Sequence, residues 1–249
     1  MLRKRLSFIV PAFNEERRIG PTVGTIHSVA PKYCRDYEIL VVNDKSTDRT
    51  GKIIDLLSRK DKKVKVLHNS KNMGMGYSYF RGLDNAKFEY VMTVFGDNDH
   101  PPESVGSIIS KMGQADIIIP YYKNLHISKT WFRHIVSITY VHLVNYLTGL
   151  TIPYYNGVIL HRTDLIRQVP KMTTGFGFQA ETIVYLAKRG ATYLEVDIFN
   201  REKKTNSSAA FRLKNILAVS RSFFRLLWNY KIFPRYNPKL YSTSYPSLK

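Results

Sequence analysis

Residues 38–50 read Glu-Ile-Leu-Val-Val-Asn-Asp-Lys-Ser-Thr-Asp-Arg-Thr. Four consecutive apolar residues, Ile39 to Val42, leave no polar face, which marks a strand covered on both sides, as in a parallel sheet. A polar turn follows, then a helical pattern over 48–60. The same unit recurs on either side. Strand-like runs at 7–13, 64–68, 90–95 and 116–120 alternate with helical patterns at 15–29, 75–86 and 103–112. Strands separated by helices of this length imply right-handed crossovers and a mostly parallel central sheet. The expected fold is a single Rossmann-like α/β/α domain over residues 1–232.

The second half has a different rhythm. A long helical region is expected over 128–148, a short strand over 157–161, a helix over 178–189 and a strand over 193–199. A basic segment, 200–208, leads into a final helix over 211–230. The tail, 233–249, is rich in Tyr, Pro, Ser and Lys and is expected to be loosely ordered.

The chain has 249 residues, and 38 Lys and Arg against 19 Asp and Glu give a net charge of +19. That excess implies an anionic partner: nucleic acid, an anionic membrane surface or a phosphorylated ligand. A basic nucleic-acid-binding module is the less favoured of these, because no zinc spacing, RNA-recognition signature or helix-turn-helix pattern is present. A hydrophobic content of 44% excludes a disordered or collagen-like chain. The lone Cys34 excludes a disulfide framework and mildly favours a reducing compartment. The basic start runs into an apolar stretch, 6–10, that Pro11 ends too early for a signal core. The uncharged stretch 135–152 is diluted by Ser137, Thr139, His142, Asn145 and Thr148, so it reads as an amphipathic or buried helix. A soluble or peripheral chain is expected.

Ligands of open parallel sheets bind beyond the carboxyl ends of the strands. Three such ends carry acidic groups: Asn14-Glu15-Glu16, Asn43-Asp44-Lys45-Ser46-Thr47-Asp48, and Asp97-Asn98-Asp99-His100-Pro101-Pro102-Glu103. Each alone suits helix capping, with Asn14 and Thr47 or Asp48 as N-caps. Three on one rim point to a binding site. Asp97 and Asp99, one residue apart, can both reach one hard cation such as Mg²⁺ or Mn²⁺; the alternative is a solvated acidic turn.

With these residues in view, the chain resembles glycosyltransferase family 2, and within it the polyprenyl-phosphate (dolichyl-phosphate) hexosyltransferases. Residues 10–16, Val-Pro-Ala-Phe-Asn-Glu-Glu, look like the family's V-P-x-y-N-E. Residues 41–50 look like its V-V-D-D-G-S-x-D-x-T, and Asn72-Met73-Gly74-Met75-Gly76 like its N-x-G-x-G. Residues 97–103 are similar to the end of its D-A-D-x-x-H-P-P-E. Residues 175–181, Gly-Phe-Gly-Phe-Gln-Ala-Glu, and Leu194-Glu195-Val196 match its later blocks. The resemblance spans about residues 6–215 and implies the GT-A variety of the α/β/α fold.

The resemblance also implies roles. Pro11, Phe13 and Glu15 would line the nucleotide base and ribose, Asp44 would bond the base edge, and Asn72 and Gly74 would lie on the nucleotide-sugar side. Asp97 and Asp99 would hold the metal, and Arg201 would act on phosphate. The chain departs from the pattern at three places: Phe95 stands where the first metal-side Asp is usual, Asn43 replaces an Asp, and Lys45 replaces a turn Gly. These departures also admit a catalytically inactive relative. The donor would be a GDP- or UDP-linked sugar.

The two acceptor classes ask for different groups. A hydroxyl acceptor needs a general base, for which Glu181 is the candidate. A phosphate monoester, with a second pKa of about 6, arrives as a nucleophilic anion and asks for cations instead. Lys123, Lys129, Arg133, Arg162, Arg201 and Lys203, with Ser207, supply them in the second half. The apolar-and-basic patterns over 131–147 and 211–228 suit either core packing or a bilayer interface. The expectation is an inverting hexosyltransferase acting on a polyprenyl phosphate at the cytoplasmic face of a membrane. A family 2 enzyme acting on a glycan or small-molecule hydroxyl is the alternative.

Overall fold

The computed structural model describes residues 4–124, 131–171, 174–175, 177–201 and 213–228. Seven strands form one sheet: β1 (Arg5–Ala12), β2 (Asp36–Asn43), β3 (Val64–His68), β4 (Tyr90–Thr93), β5 (Ile117–Tyr122), β6 (Leu160–Arg162) and β7 (Tyr193–Ile198). Their spatial order is β3-β2-β1-β4-β6-β5-β7. β2 is buried from Glu38 to Asn43, as its unbroken apolar run requires, and it pairs in parallel with both β1 and β3. β4 is parallel to β1, and β7 to β5. Only β6 is reversed, running antiparallel to both β4 and β5.

Eight helices are present among the described residues: α1 (Ile19–Tyr33), α2 (Thr50–Lys60), α3 (Met75–Asn85), α4 (Pro102–Ser110), α5 (Trp131–Thr148), α6 (Thr163–Ile166), α7 (Phe178–Ala187) and α8 (Leu213–Leu227). Alternate strand residues divide the core between two faces. Phe8, Val10, Ile39 and Val41 pack with Ile19, Ile26, Ile54, Val105 and Ile108 of α1, α2 and α4. Ile9 and Leu40 pack with Tyr79, Val144, Leu165, Ile183 and Leu226 of α3, α5, α6, α7 and α8. α3 lies so close to β1 that a Cβ on Gly82 would stand 2.5 Å from Ile9 Cγ2, which is why that helix position has no side chain.

The fold is the expected sandwich, with local differences. α1 begins at Ile19 rather than residue 15 and continues through Pro31. The N-caps of α1 and α2 are Arg18 and Arg49, and neither caps through its side chain. Asn14 caps no helix; it bridges two loops, as described below. The strand expected over 157–161 is β6, which begins three residues later and is only three residues long. The short α6 was not expected, β4 stops at Thr93, and β7 at Ile198. The expected 233–249 tail and residues 128–130, 211–212 and 229–230 of the expected helices lie outside the described residues.

Candidate active site at the carboxyl rim

The chain passes from β1 outward to β2 and β3, then returns to place β4 on the other side of β1. That reversal lies between β1 and β4, and open α/β sheets hold ligands beyond the carboxyl ends of the strands at such a point. The backbone there is continuous: Val94 N–H donates to Ile9 O at 3.0 Å and Gly96 N–H to Pro11 O at 3.3 Å.

One wall is built by the loops after β1 and β2, which brace each other. Asn14, at φ 57°, accepts from Thr47 N–H at 2.8 Å through Oδ1, while its own N–H donates to Ser46 Oγ at 3.0 Å. Glu15 N–H donates to Thr50 Oγ1 at 2.8 Å. Glu16 and Asp48 are reciprocal: Glu16 N–H reaches Asp48 Oδ2 at 3.2 Å, and Arg49 N–H reaches Glu16 Oε2 at 3.0 Å. Asp48 also accepts Thr50 N–H at 2.9 Å, and despite desolvation these bonds from Thr50 and Glu16 hold its carboxyl below the ordinary value. Pro11 is buried in β1, while Phe13 and Glu15 are half-buried beyond its carboxyl end. The Glu15 carboxylate lies 3.7 Å from Arg18.

Asp44 does something its sequence pattern did not announce. Its carboxylate is 5% exposed and accepts three N–H groups from one loop: Asn69 Nδ2 at 2.7 Å, Met73 N at 2.8 Å and Gly74 N at 2.8 Å. Asn72 Nδ2 donates to Asp44 O at 3.4 Å. Asn72 and Gly74 are thus fastened to Asp44, and the three build the wall together. A carboxylate has about four acceptor positions, and protein N–H groups fill three of those of Asp44. Gly74, at φ 95°, is itself required: its Cβ would stand 2.5 Å from Thr174 O. That carbonyl accepts Gly76 N–H at 2.8 Å, closing the first turn of α3. Thr174 and Asn69 had no sequence signal, because both act from loops distant in the chain.

The opposite wall is the turn after β4. Asp99 N–H donates to Asp97 Oδ1 at 3.3 Å, and Asn98 between them has φ 53°. Helix α1 grips this turn: Thr22 Oγ1–H lies 3.1 Å from Gly96 O, and Thr25 Oγ1 donates to Asn98 Oδ1 at 3.2 Å. His100 Nε2 and Tyr122 Oη are 2.9 Å apart. Burial, then Tyr154 and the charges of Asp97 and Asp99, hold the Tyr122 phenol well above its ordinary value, so it stays a neutral hydrogen-bonding group. Phe95, at the position of the missing carboxylate, is half-buried with its ring 6.1 Å from that of His100. No cluster of three or more His, Cys, Asp or Glu converges among the described residues. Two carboxylates, Asp97 and Asp99, lie one residue apart on this turn, and a hard cation held by them would need further oxygen ligands from solvent or a bound molecule.

The second half meets this turn directly. Arg201 N–H donates to Asp99 O at 2.7 Å, which brings the segment after β7 against the acidic pair. Asn124 and Asn200 exchange bonds of 2.9 and 3.1 Å, and Phe199 N–H donates to Ser104 Oγ at 3.0 Å. Lys123 lies on the same rim but is paired with Asp197 at 2.7 Å, which raises its ammonium.

Two expectations need correction. Arg162 is on the wrong rim. Because β6 is antiparallel, Arg162 sits opposite Tyr90 at the beginning of β4, bound to Asp116 at 3.1 Å and Asp164 at 2.6 Å. It cannot meet an acceptor at the Asp97 turn. Glu181 does not present a base to solvent: it is 3% exposed and directed at Arg225 of α8, 3.5 Å away. Burial pushes its carboxyl up, against the pull of Ser222 and Arg225. Arg133 lies in the first turn of α5, and its side chain is outside the described residues, as are Lys129, Lys203 and Ser207.

Comparison with known proteins agrees with this geometry. The profile described as glycosyl transferase family 2 matches residues 7–168. The chain is 27% identical over 171 residues to a dodecaprenyl-phosphate galacturonate synthase of Rhizobium johnstonii, covering 67% of this chain and 50% of that one. It is 27% identical over 220 residues to a polyprenol monophosphomannose synthase of Mycolicibacterium smegmatis, covering 82% and 80%. The chain spans about half the length of several curated relatives it matches, among them the Rhizobium protein. Among solved structures, glucosyl-3-phosphoglycerate synthase of Mycobacterium tuberculosis, crystallised with Mn²⁺, uridine diphosphate and phosphoglyceric acid, superposes with a TM-score of 0.67. At 17% identity the match covers 91% of this chain and 78% of that one, and it establishes the fold.

Proposed function

The chain belongs to glycosyl transferase family 2, and from that premise we propose that it moves a hexose, with inversion, from a GDP- or UDP-linked sugar to a polyprenyl phosphate at an anionic membrane surface. The observation that carries this reading is the 2.7 Å bond from Arg201 N–H to Asp99 O. It brings the backbone of Arg201 against the turn that bears Asp97 and Asp99, which supports a reading in which donor and acceptor meet on one rim.

The residues divide the work. The Asp44-braced loop and the β1 edge at Pro11, Phe13 and Glu15 form the nucleoside side. Asp97 and Asp99 would hold a Mg²⁺ or Mn²⁺ ion, which when bound neutralises charge on the departing diphosphate. Arg201, exposed beside the acidic turn, would orient the acceptor phosphate by charge-assisted bonds. A phosphate acceptor is already ionised above about pH 6 and needs no base, which agrees with the burial of Glu181. The named relatives that act on prenyl phosphates support this acceptor class. Membrane docking is supported by exposed Ile135, Val136, Leu143 and Tyr146 on α5 and Phe224 and Trp228 at α8.

The test is to incubate the protein and Mn²⁺ with radiolabelled GDP- and UDP-sugars, with and without a short polyprenyl phosphate, and to extract with organic solvent. Label should enter the organic phase only when the lipid phosphate is present. Asp97→Ala should abolish it, and Arg201→Ala should lower it at least ~10-fold at limiting acceptor. Label transferred only to water-soluble hydroxyl acceptors would refute the reading in favour of a glycan or small-molecule acceptor.

A further inference from the structure

The turn that carries the acidic pair is held from behind. Thr22 and Thr25 stand one turn apart on α1 and so face the same way. Both are buried, at 1% and 8% exposure. Thr25 Oγ1 donates to Asn98 Oδ1 at 3.2 Å. Thr22 Oγ1–H is shared between Arg18 O at 3.0 Å and Gly96 O at 3.1 Å. Asn98 itself sits at φ 53°, a conformation that Asn tolerates better than most side chains. Its amide is drawn to α1, and across it Asp99 N–H donates to Asp97 Oδ1 at 3.3 Å. The middle residue of the turn is therefore pegged to α1, directly between its two acidic neighbours.

From this we propose that Thr25 and Asn98, assisted by Thr22, are positioning residues for the metal-side carboxylates. The inference rests on the metal reading given above and extends it to groups that touch neither ion nor substrate. The peg fixes the sense of the turn, so Asp97 and Asp99 are presented as a pair before any ligand arrives. A packing role alone does not account for the hydroxyl. Valine has the same shape, and a buried hydroxyl is unfavourable unless it is bonded. Here the bond goes to the one residue between the two acids. Partners that orient ligand groups in this manner typically contribute 10- to 100-fold to metal affinity.

The experiment is a Mn²⁺ titration of the full chain, followed by electron paramagnetic resonance, with UDP or GDP present. Thr25→Val should weaken Mn²⁺ binding about 10-fold or more. Thr25→Ser, which keeps the hydroxyl, should restore it. Asn98→Gly keeps the left-handed backbone and removes the peg, so it should weaken binding as Thr25→Val does, even if one variant folds poorly. In the transfer assay the loss should fall on the KM for Mn²⁺ and be recovered at excess ion. If the wild type binds Mn²⁺ and Thr25→Val and Asn98→Gly bind it equally well, the positioning role is wrong while the metal reading survives. If the wild type takes up no Mn²⁺ with either diphosphate, the metal reading fails and this inference falls with it.

Discussion

Lys45 has a backbone conformation that a side chain resists: its φ is 61°, in the left-handed region. Family relatives are expected to have glycine at this place, and the structure explains why the turn survives without it. Asn43 Oδ1 accepts Ser46 N–H at 3.0 Å, and Ser46 Oγ is held by Asn14, so the turn is pinned on both sides of Lys45. Asn43 also has a reason to be an amide. With Oδ1 committed to Ser46, its Nδ2 donates to His68 Nδ1 at 3.0 Å, which leaves the Nε2 proton of His68 for Asp55 at 3.0 Å. An aspartate at 43 would set acceptor against acceptor. The expected outcome for Lys45→Gly is a gain of about 1 kcal/mol in unfolding free energy, since left-handed strain of ~1–2 kcal/mol is relieved against a smaller entropic loss. Chemical denaturation measures it, and an equal or lower midpoint would show that the turn is unstrained.

At the scale of elements, the reversed strand β6 has the largest consequences. Its direction moves Arg162 to the far rim, and it buries His161 at 2% exposure between β4 and β5 with neither ring nitrogen hydrogen-bonded. Burial pushes the His161 imidazole down from 6.5 to about 3. Below pH 6.5 the unfolded chain therefore binds a proton that the folded chain refuses, and stability falls as pH falls. The slope is about 1.4 kcal/mol per pH unit until pH 3 is approached. His161→Leu removes both the orphaned nitrogens and this proton. It should raise the thermal midpoint at neutral pH and flatten the acid limb of the stability profile. Parallel acid limbs for variant and wild type would show that His161 titrates normally in the fold.

For the molecule as a whole, a charge of +19 is combined with two helices that contain no acidic residue and keep large apolar side chains in solvent. Tyr146 is 75% exposed and Phe224 63%. Among the described residues no helix is long and apolar enough to cross a membrane. α5 and α8 follow β5 and β7 in the chain and pack against each other. The protein should float with vesicles containing anionic lipid and much less with neutral ones. Added salt should weaken the binding. Tyr146→Ser with Phe224→Ser should reduce it severalfold without changing nucleotide binding. Equal flotation of that double variant would move the docking surface elsewhere.

Local pattern was enough to read the alternation of strand and helix, the parallel sense of β1 to β4 and the rim positions of Glu15, Asp44, Asp97 and Asp99. These follow from short-range patterns: an apolar run that needs two covers, and polar residues at the point where a strand gives way to a helix. Long-range packing, and no local pattern, turns Arg162 to the far rim, commits the Asp44 carboxylate to the loop of residues 69–74, directs Glu181 at Arg225 and sets Thr25 against Asn98. Each of these depends on segments 25 or more residues apart in the chain. Periodicity reports which face of an element is apolar; it does not report which distant backbone arrives against that face, or in which direction it runs.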